Sequence, residues 1–339
     1  MVFLNRKIRV AINGFGRIGR AVFKIALDKS NIEIAAINDL MEPQVLAHLL
    51  TYDSVYGRFK HKVDFDKANI IIKNKKFPIY AAKDPAKLPW NDQKIDVVLE
   101  CTGRFTKDGA ARAHVKAGAK RVIVSAPTKG GDVGTFLLGV NSKEYERQDV
   151  ISNASCTTNC VAPVAFVLAR NFGIVKGMVT TVHAYTAEQN LVDGPPPALH
   201  KDLRRARAAG INIVPTSTGA ATATAEVIPG LSGAFDGMAL RVPVAIGSLS
   251  DFTVLLKNPA SAEEINRAFR NYASEHPTIL EVTDAPIVSS DIVGNTHSAI
   301  VDAALTKVIG GNFAKVVAWY DNEWGYANRL VEEIFLVSR

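Results

Sequence analysis

A cysteine flanked by hydroxyl and amide residues is the feature of this sequence best suited to covalent chemistry. Cys156 lies in the run Ser155-Cys156-Thr157-Thr158-Asn159-Cys160, directly before a helical pattern at residues 161–170. Polar residues in that place are typical of a helix N-terminus, where the helix dipole favours an anion. Such a site lowers a thiol pKa from about 8.5 to roughly 3.5–7.5. We therefore expect Cys156 to be a nucleophile, and Cys160 and Cys101 to be packing residues.

A thiol nucleophile needs a base, and His183 is the best candidate. It follows the predicted strand at residues 178–182, and strand ends in such sheets face the crevice where ligands bind. A structural role for this histidine stays open, because spacing alone does not show that the two side chains meet. The other six histidines have no comparable neighbour, and we interpret them as surface or packing residues.

Two further segments have the chemistry of anion sites. Residues 216–221 (Thr-Ser-Thr-Gly-Ala-Ala) are small and hydroxyl-rich and could donate hydrogen bonds to a phosphate, although a plain polar loop is the alternative. Arg241 lies in an otherwise apolar predicted strand at residues 238–244. A guanidinium there needs an anionic partner, and the sequence leaves open whether that partner is a buried carboxylate or a substrate phosphate.

A glycine-rich turn predicts a dinucleotide site. Residues 14–19 (Gly-Phe-Gly-Arg-Ile-Gly) follow a predicted strand at 8–12 and open a predicted helix at 17–29, which is the context that the G-x-G-x-x-G pattern requires. Gly14 permits the tight turn, Gly16 lets the backbone approach a pyrophosphate, and Gly19 lets helix and strand pack closely. Asp39 ends the next predicted strand and would bind the ribose hydroxyls, which favours NAD over NADP. A simple turn role for Asp39 stays open.

The elements that position these residues change in character along the chain. Strands and helices alternate in the first half (strands at 8–12, 32–37, 96–101 and 121–125, helices at 17–29 and 110–117), which predicts a parallel sheet with helices on both faces. Later strands at 178–186, 238–244, 251–257 and 316–320 indicate a mostly antiparallel sheet, with a boundary near residue 150. A capping box opens a helix at Ser261, and one helix closes the chain at 324–337. Pro163 is expected in a first turn or at a kink.

Composition is that of a globular protein. The 339 residues are 47% hydrophobic and 22% charged, with a formal charge of +7, and no apolar run approaches the roughly 18 residues of a membrane span. No secretory signal, disulfide framework or metal-type cysteine and histidine spacing is present, so we expect a cytoplasmic protein without a metal. No basic block favours nucleic acid.

Across essentially its whole length the sequence resembles the phosphorylating glyceraldehyde-3-phosphate dehydrogenase family. The resemblance lies in residues 12–20, Glu100-Cys101-Thr102-Gly103, Ser125-Ala126-Pro127, the run 152–160 around Cys156, His183-Ala184-Tyr185-Thr186, and residues 319–326. It implies a Rossmann-type NAD-binding domain at 1–155, an α+β catalytic domain at 156–321, and a C-terminal helix at 322–339 packing back on the first domain.

The resemblance also implies a reaction. Cys156 would attack glyceraldehyde 3-phosphate to form a thiohemiacetal, with His183 as the base that assists hydride loss to NAD. Inorganic phosphate would then release the thioester as 1,3-bisphosphoglycerate, a step of glycolysis and gluconeogenesis. A homotetramer is implied as well.

Site roles follow by matching motif positions. Thr186 and Arg241 would bind the substrate phosphate. The attacking phosphate would be bound by Ser155, Thr157, Arg205, Thr218 and Gly219. The NAD positions would be Asn13, Gly14, Gly16, Arg17, Ile18, Asp39, Lys83, Ser125 and Asn322.

One loop departs from the family pattern. Residues 196–199 (Pro-Pro-Ala-Leu) lengthen a loop that in the family packs across a subunit interface. This difference bears on the tetramer, on cofactor selectivity and on the place of Arg205.

Three alternatives to the implied function are an erythrose-4-phosphate dehydrogenase, an NADP-preferring variant, and a nucleic-acid binder that is not an enzyme. The last has no need of Cys156, His183 and Arg241 together.

Overall fold

A computed structural model describes residues 6–196 and 202–339. The chain forms two compact units: one comprises residues 1–136, 142–154 and 327–339, and the other residues 137–141 and 155–326. Within the described ranges, no helix has both the length and the apolar character needed to cross a membrane.

The first unit is built on a nine-stranded sheet. The unit's strands are β1 (Ile8–Asn13), β2 (Ile32–Asn38), β3 (Tyr52–Asp53), β4 (Gly57–Arg58), β5 (Asp64–Phe65), β6 (Asn69–Ile72), β7 (Lys75–Tyr80), β8 (Val97–Glu100), β9 (Arg121–Val124), β10 (Gly134–Thr135) and β11 (Val150–Ser152). In the sheet, the strands in the order β10-β11-β9-β8-β1-β2-β7 are parallel, and β6 and β5 extend one edge in antiparallel fashion. Its helices are α1 (Arg17–Leu27), α2 (Pro43–Thr51) and α3 (Ala113–Lys116), with 3-10 turns at Pro85–Lys87, Ala110–Arg112 and Ser142–Glu144.

Buried strands and α1 supply the core of this unit. Val98 and Val122 on the central strands pack with Trp90 in one apolar cluster. On α1, Phe23 stacks edge-on against both Phe15 and Phe77. The predicted parallel architecture is confirmed, whereas the antiparallel edge at β5–β7 was not predicted.

The predicted helix at 110–117 is interrupted. A 3-10 turn at Ala110–Arg112 precedes the one-turn helix α3. The segment lies between Gly109 and Gly118, both of which have positive φ angles, so regular helix has room for little more than two turns.

The second unit contains an eight-stranded sheet and three helices. Its strands are β12 (Ile174–Ala184), β13 (Val214–Ser217), β14 (Phe235–Val242), β15 (Ser248–Leu256), β16 (Leu280–Thr283), β17 (Ala299–Asp302), β18 (Lys307–Ile309) and β19 (Phe313–Tyr320). The sheet order is β13-β14-β12-β15-β19-β17-β16, with β18 beside β19. The β12–β14 and β16–β17 pairs are parallel, and the other pairs of these strands are antiparallel. Its helices are α4 (Cys156–Phe172), α5 (Ala220–Val227) and α6 (Ala262–Glu275), with 3-10 turns at Leu203–Ala206, Pro229–Leu231, Ser289–Ile292 and Ala303–Leu305. The last helix, α7 (Trp324–Val337), begins in this unit and has the predicted bounds.

Helix α4 is the central element of the second core. Val164 and Leu168 on α4 pack with Phe252 of the sheet and Phe269 of α6. Pro163 lies in the interior of α4, which excludes the first of the two expected positions, while a kink stays a prediction. A proline there removes one backbone hydrogen bond, and we attribute the continuation of the helix to its burial in this core.

The sequence pattern also placed the start of α6 correctly. The Ser261 hydroxyl accepts a hydrogen bond from the Glu264 amide, and the Glu264 carboxylate accepts one from the Ser261 amide. The predicted capping box is therefore present.

Candidate active site

Cys156 is the first residue of α4. The preceding Ser155 caps the helix, since its Oγ accepts a hydrogen bond from the Thr158 amide at 3.0 Å. This confirms the predicted placement of the thiol at the N-terminus of a long helix, where the helix dipole favours negative charge.

His183 faces this thiol. Its Nε2 lies 3.5 Å from Cys156 Sγ, and its Nδ1 lies 2.6 Å from the carbonyl oxygen of Ala184. The carbonyl can only accept a hydrogen bond, so Nδ1 carries the ring proton and Nε2 presents its lone pair to the thiol. Arg241 Nη1 lies 3.1 Å from the same Nδ1, but a protonated Nδ1 cannot accept a hydrogen bond, so this contact is not one. The tautomer is the one that a base next to Cys156 requires.

Burial keeps both groups in their neutral forms. It lowers the pKa of His183 to about 3, and the positive charge of Arg241 acts in the same direction. Although part of the Cys156 surface is exposed, burial of the thiol raises its pKa above the ordinary value, while the Arg241 charge partly offsets that rise. The depressed thiol pKa expected from the helix dipole is therefore wrong for this geometry, because desolvation outweighs the favourable charges.

Tyr320, for which the sequence predicted no role, packs against His183 and bonds to Thr157, the residue that follows Cys156. Its hydroxyl lies 2.7 Å from Thr181 Oγ1 and 3.0 Å from Thr157 Oγ1. Its ring packs edge-on against the His183 imidazole, with 6.0 Å between ring centroids. Thr157, predicted to contact phosphate, thus has its hydroxyl bonded to the buried phenol. The only signal for Tyr320 was its place in the run 319–326.

Arg241 lies beside His183 because their strands pair in parallel, with these two residues in register. Its Nη1 donates to the Ala184 carbonyl at 3.1 Å and to Thr186 Oγ1 at 3.3 Å. The two residues predicted to bind the substrate phosphate therefore lie together. Of the two partners that the sequence left open, a carboxylate contacts Arg241 in this structure: Arg241 Nη2 lies 3.1 Å from Glu188 Oε1.

Arg205 joins the same cluster from its 3-10 turn. Its Nη1 contacts Glu188 Oε1 at 2.5 Å, and its Nε donates to Thr216 Oγ1 at 2.9 Å. Thr216 in turn donates to Asp202 at 2.9 Å. Glu188 was missed by sequence reasoning, because an acidic residue in a loop has no pattern that reveals a distant partner.

Thr218 and Gly219 mark the start of α5. Residues 216–221 are not one loop: they include the end of β13 and the first turn of this helix. The Thr218 hydroxyl accepts from the Ala220 amide at 3.2 Å, so it bonds to its own helix. Gly219 is exposed, and a side chain there would meet no atom within 4 Å.

The glycine turn of the first unit has the features that a pyrophosphate requires. Gly14 has φ +92°, and a Cβ there would lie 2.8 Å from the Thr102 amide nitrogen. A Cβ on Gly19 would lie 2.1 Å from the Gly14 carbonyl oxygen, whereas Gly16 faces open space. Asp39 adjoins the turn, since its Oδ2 accepts from the Phe15 amide at 2.7 Å. The residues present therefore fit a dinucleotide held by backbone amides at the start of α1.

Side-chain hydrogen bonds connect the strand ends around this turn. The Asn13 amide donates to Glu100 at 2.5 Å and accepts from Asn38 at 2.6 Å. Glu100 also bonds His114, which is fully buried and accepts from the Trp90 indole, so His114 is part of a polar network.

The other predicted cofactor residues of this unit have varied surroundings. Arg17 pairs with Asp53 at 2.9 Å. Ile18 and Ser125 are half-buried, and Lys83 is exposed.

Asn322 belongs to the second unit. Its Oδ1 accepts hydrogen bonds from the Gly247 amide at 3.2 Å and from Ser248 Oγ at 3.0 Å. Ser248 Oγ itself accepts from the Ala184 amide at 3.1 Å, which links Asn322 to the strand end that carries His183. Of the predicted loop insertion at 196–199, residues 197–199 lie outside the described part of the chain.

Two family models match the chain. Residues 155–322 match the C-terminal domain of glyceraldehyde 3-phosphate dehydrogenase, and residues 8–108 match its NAD-binding domain. Curated relatives named glyceraldehyde-3-phosphate dehydrogenase include one from Mycobacterium avium, 53% identical over 98% of this chain and 99% of its own. Another, from Mycolicibacterium smegmatis, is 54% identical with the same coverage. A third, glyceraldehyde-3-phosphate dehydrogenase 2 from Streptomyces avermitilis, is 50% identical over 96% of this chain and 97% of its own. The fold, the Cys156–His183 geometry and these matches lead to one conclusion: the chain belongs to the glyceraldehyde-3-phosphate dehydrogenase family.

Proposed function

We propose that this protein is an NAD-dependent oxidoreductase that converts D-glyceraldehyde 3-phosphate and inorganic phosphate into 1,3-bisphosphoglycerate, as in glycolysis and gluconeogenesis. The observation that carries the proposal is the 3.5 Å contact between the Cys156 thiol and the unprotonated nitrogen of His183. The two arginines near this pair suit a substrate that carries phosphate.

Cys156 forms and releases the covalent intermediate. As Sγ attacks the aldehyde carbon, Nε2 of His183 takes the thiol proton and passes it to the aldehyde oxygen, which gives a thiohemiacetal and leaves His183 neutral. Nε2 then accepts the hydroxyl proton while the carbon loses its hydride, and a thioester results. Since burial and Arg241 lower the pKa of His183 to about 3, the imidazolium gives up its proton readily. Phosphate oxygen attacks the thioester, the C–S bond breaks, and the leaving thiolate takes the proton held by the His183 imidazolium, which restores the thiol.

NAD supplies the acceptor for the hydride. We assign its pyrophosphate to Gly14, Gly16, Arg17 and Ile18, and its adenosine ribose to Asp39. Asn13, Lys83, Ser125 and Asn322 complete the proposed set. The open face at Gly16 and the carboxylate beside the turn support this assignment.

The phosphate groups are assigned to two subsites. Thr186 and Arg241 would bind the phosphate of the substrate, since their side chains meet at 3.3 Å. Ser155, Thr157, Arg205, Thr218 and Gly219 would serve the attacking phosphate. Support comes from the helix starts at Cys156 and Ala220, where the helix dipole favours an anion.

Domains, assembly and location complete the proposal. The proposed domain limits are 1–155, 156–321 and 322–339. The change of compact unit between residues 154 and 155 supports the first limit, and the assignment of residues 327–339 to the first unit supports a separate C-terminal segment that begins a few residues later than proposed. A homotetramer is supported by aliphatic residues that are more than 65% exposed, namely Leu191, Val192, Leu203, Ile211, Ile213 and Ile309. Three free thiols support a cytoplasmic location. Sedimentation velocity would test the tetramer.

The decisive assay is NAD reduction with glyceraldehyde 3-phosphate, with and without inorganic phosphate. We expect sustained NADH formation only when phosphate is present. Without phosphate, each site should form no more than one equivalent of NADH. Erythrose 4-phosphate and NADP, tested in parallel, should be poorer substrates. Absence of NADH formation with any aldehyde would overturn the proposal.

A further inference from the structure

One carboxylate holds the two arginines that we assigned to different phosphates. Glu188 Oε1 lies 2.5 Å from Arg205 Nη1 and 3.1 Å from Arg241 Nη2. The arginine side chains are 8% and 11% exposed, whereas that of Glu188 is 34% exposed. The acidic member of the cluster is thus the one with access to water.

Glu188 offsets an unfavourable juxtaposition of like charges. The pKa of Arg241 is lowered chiefly by burial and also by the charge of Arg205, while Glu188 acts in the opposite direction. Two nearly buried guanidinium groups of the same sign need an anion between them, and the carboxylate provides it.

Both arginines have additional anchors. Arg241 donates to the Ala184 carbonyl and to Thr186, and Arg205 donates to Thr216, which is itself bonded to Asp202. Departure of the Glu188 carboxylate would leave these bonds in place. Glu188 therefore sets the charge of the cluster more than its geometry.

We propose that the Glu188 carboxylate competes with phosphate for Arg205 and Arg241, and so lowers the affinity of both phosphate subsites. The inference rests on the proposed function. A phosphate dianion that binds either guanidinium must displace this carboxylate or share the cation with it, at a cost in binding free energy. The product carries two phosphates, so this competition favours its release.

The test is Glu188→Gln, which keeps the size and the acceptor oxygen but removes the charge. Glu226→Gln, at an exposed residue of α5, is the matched control. Steady-state rates would be measured at saturating NAD with varied inorganic phosphate, glyceraldehyde 3-phosphate, and unphosphorylated glyceraldehyde.

For Glu188→Gln we expect KM to fall about three- to thirty-fold for inorganic phosphate and for the phosphorylated aldehyde, the range for one partly exposed charge near a ligand. KM for unphosphorylated glyceraldehyde should stay within twofold, and kcat should stay level or fall as product leaves more slowly. Glu188→Asp, which keeps the charge, should lie closer to the unsubstituted protein.

Two results would overturn the inference: unchanged KM for both phosphates in an active Glu188→Gln enzyme, or an equal fall in KM for the unphosphorylated aldehyde. If Glu188→Gln does not fold, Glu188→Asp is compared with the unsubstituted protein in the same way. Its shorter carboxylate lies farther from the arginines, so it should still lower both phosphate KM values, although by less than Glu188→Gln would. If the unsubstituted protein itself forms no NADH, that result refutes the proposed function instead.

Discussion

The imidazole of His183 is held between two fixed contacts, the Ala184 carbonyl at 2.6 Å from Nδ1 and the Cys156 thiol at 3.5 Å from Nε2. The first contact determines the tautomer, and the tautomer leaves Nε2 free to accept a proton from the second. A residue that ends a strand thereby becomes a base for a thiol that begins a helix.

Replacing His183 tests this relationship. His183→Asn should slow the hydride-transfer step by roughly 10²–10⁴-fold, the usual contribution of a positioned base. Pre-steady-state NADH formation would measure it, with NAD affinity as the control for folding. A rate within threefold of the unsubstituted enzyme would assign the proton to another acceptor.

Replacing Cys156 tests the nucleophile. Cys156→Ser should abolish NADH formation from the aldehyde while NAD binding remains nearly intact, because the thiol attacks substrate and the cofactor turn lies in the other compact unit. Cys160, fully buried one turn further along α4, provides the control: Cys160→Ala should keep kcat while losing stability. Normal turnover by Cys156→Ser would reject the mechanism.

Asp39 tests the choice of cofactor. Its carboxylate adjoins the glycine turn and would repel a phosphate on the ribose, so Asp39→Gly should reduce the preference for NAD over NADP by about tenfold or more in kcat/KM. Because glycine also removes the hydrogen bond to the Phe15 amide, Asp39→Asn separates charge from shape. An unchanged preference in both variants would place the selectivity elsewhere.

A buried acid in α7 predicts a pH-dependent stability. Glu333 is 0% exposed, neither of its carboxyl oxygens has a hydrogen-bond partner within the described ranges, and burial raises its pKa well above the ordinary value despite the charge of Arg329. The unfolded chain ionises this group near pH 4.3, so stability should fall as pH rises from there towards the folded-state pKa. Glu333→Leu should raise Tm, more at pH 8 than at pH 5, with a gain of about 1–3 kcal/mol.

The neighbouring Glu332 provides the contrast for this prediction. Its carboxylate pairs with Arg329 at 2.7 Å, so Glu332→Leu should lower Tm. Thermal unfolding of both variants at the two pH values measures the difference. A lower Tm for Glu333→Leu at pH 8 would mean that Glu333 is ionised and paired in the folded protein.

Local patterns were enough to predict much of the fold. The turn at residues 14–19, the capping box at Ser261 and the bounds of α7 depend on neighbours in sequence, and all three are present. The first-turn position expected for Pro163 was wrong because burial of α4 in the core, a property of the whole unit, outweighs the local preference of proline.

By itself, the sequence determined the reactive residue types and their local setting: a thiol at a helix start, a histidine at a strand end and glycines where the backbone must turn. Only the tertiary structure decided which of them meet and in which protonation state. The thiol pKa rises because desolvation depends on surroundings gathered from several strands. Arg241 lies beside His183 because β12 and β14 pair in register, and that pairing joins segments more than fifty residues apart. The short-range periodicity of the sequence does not indicate such long-range contacts.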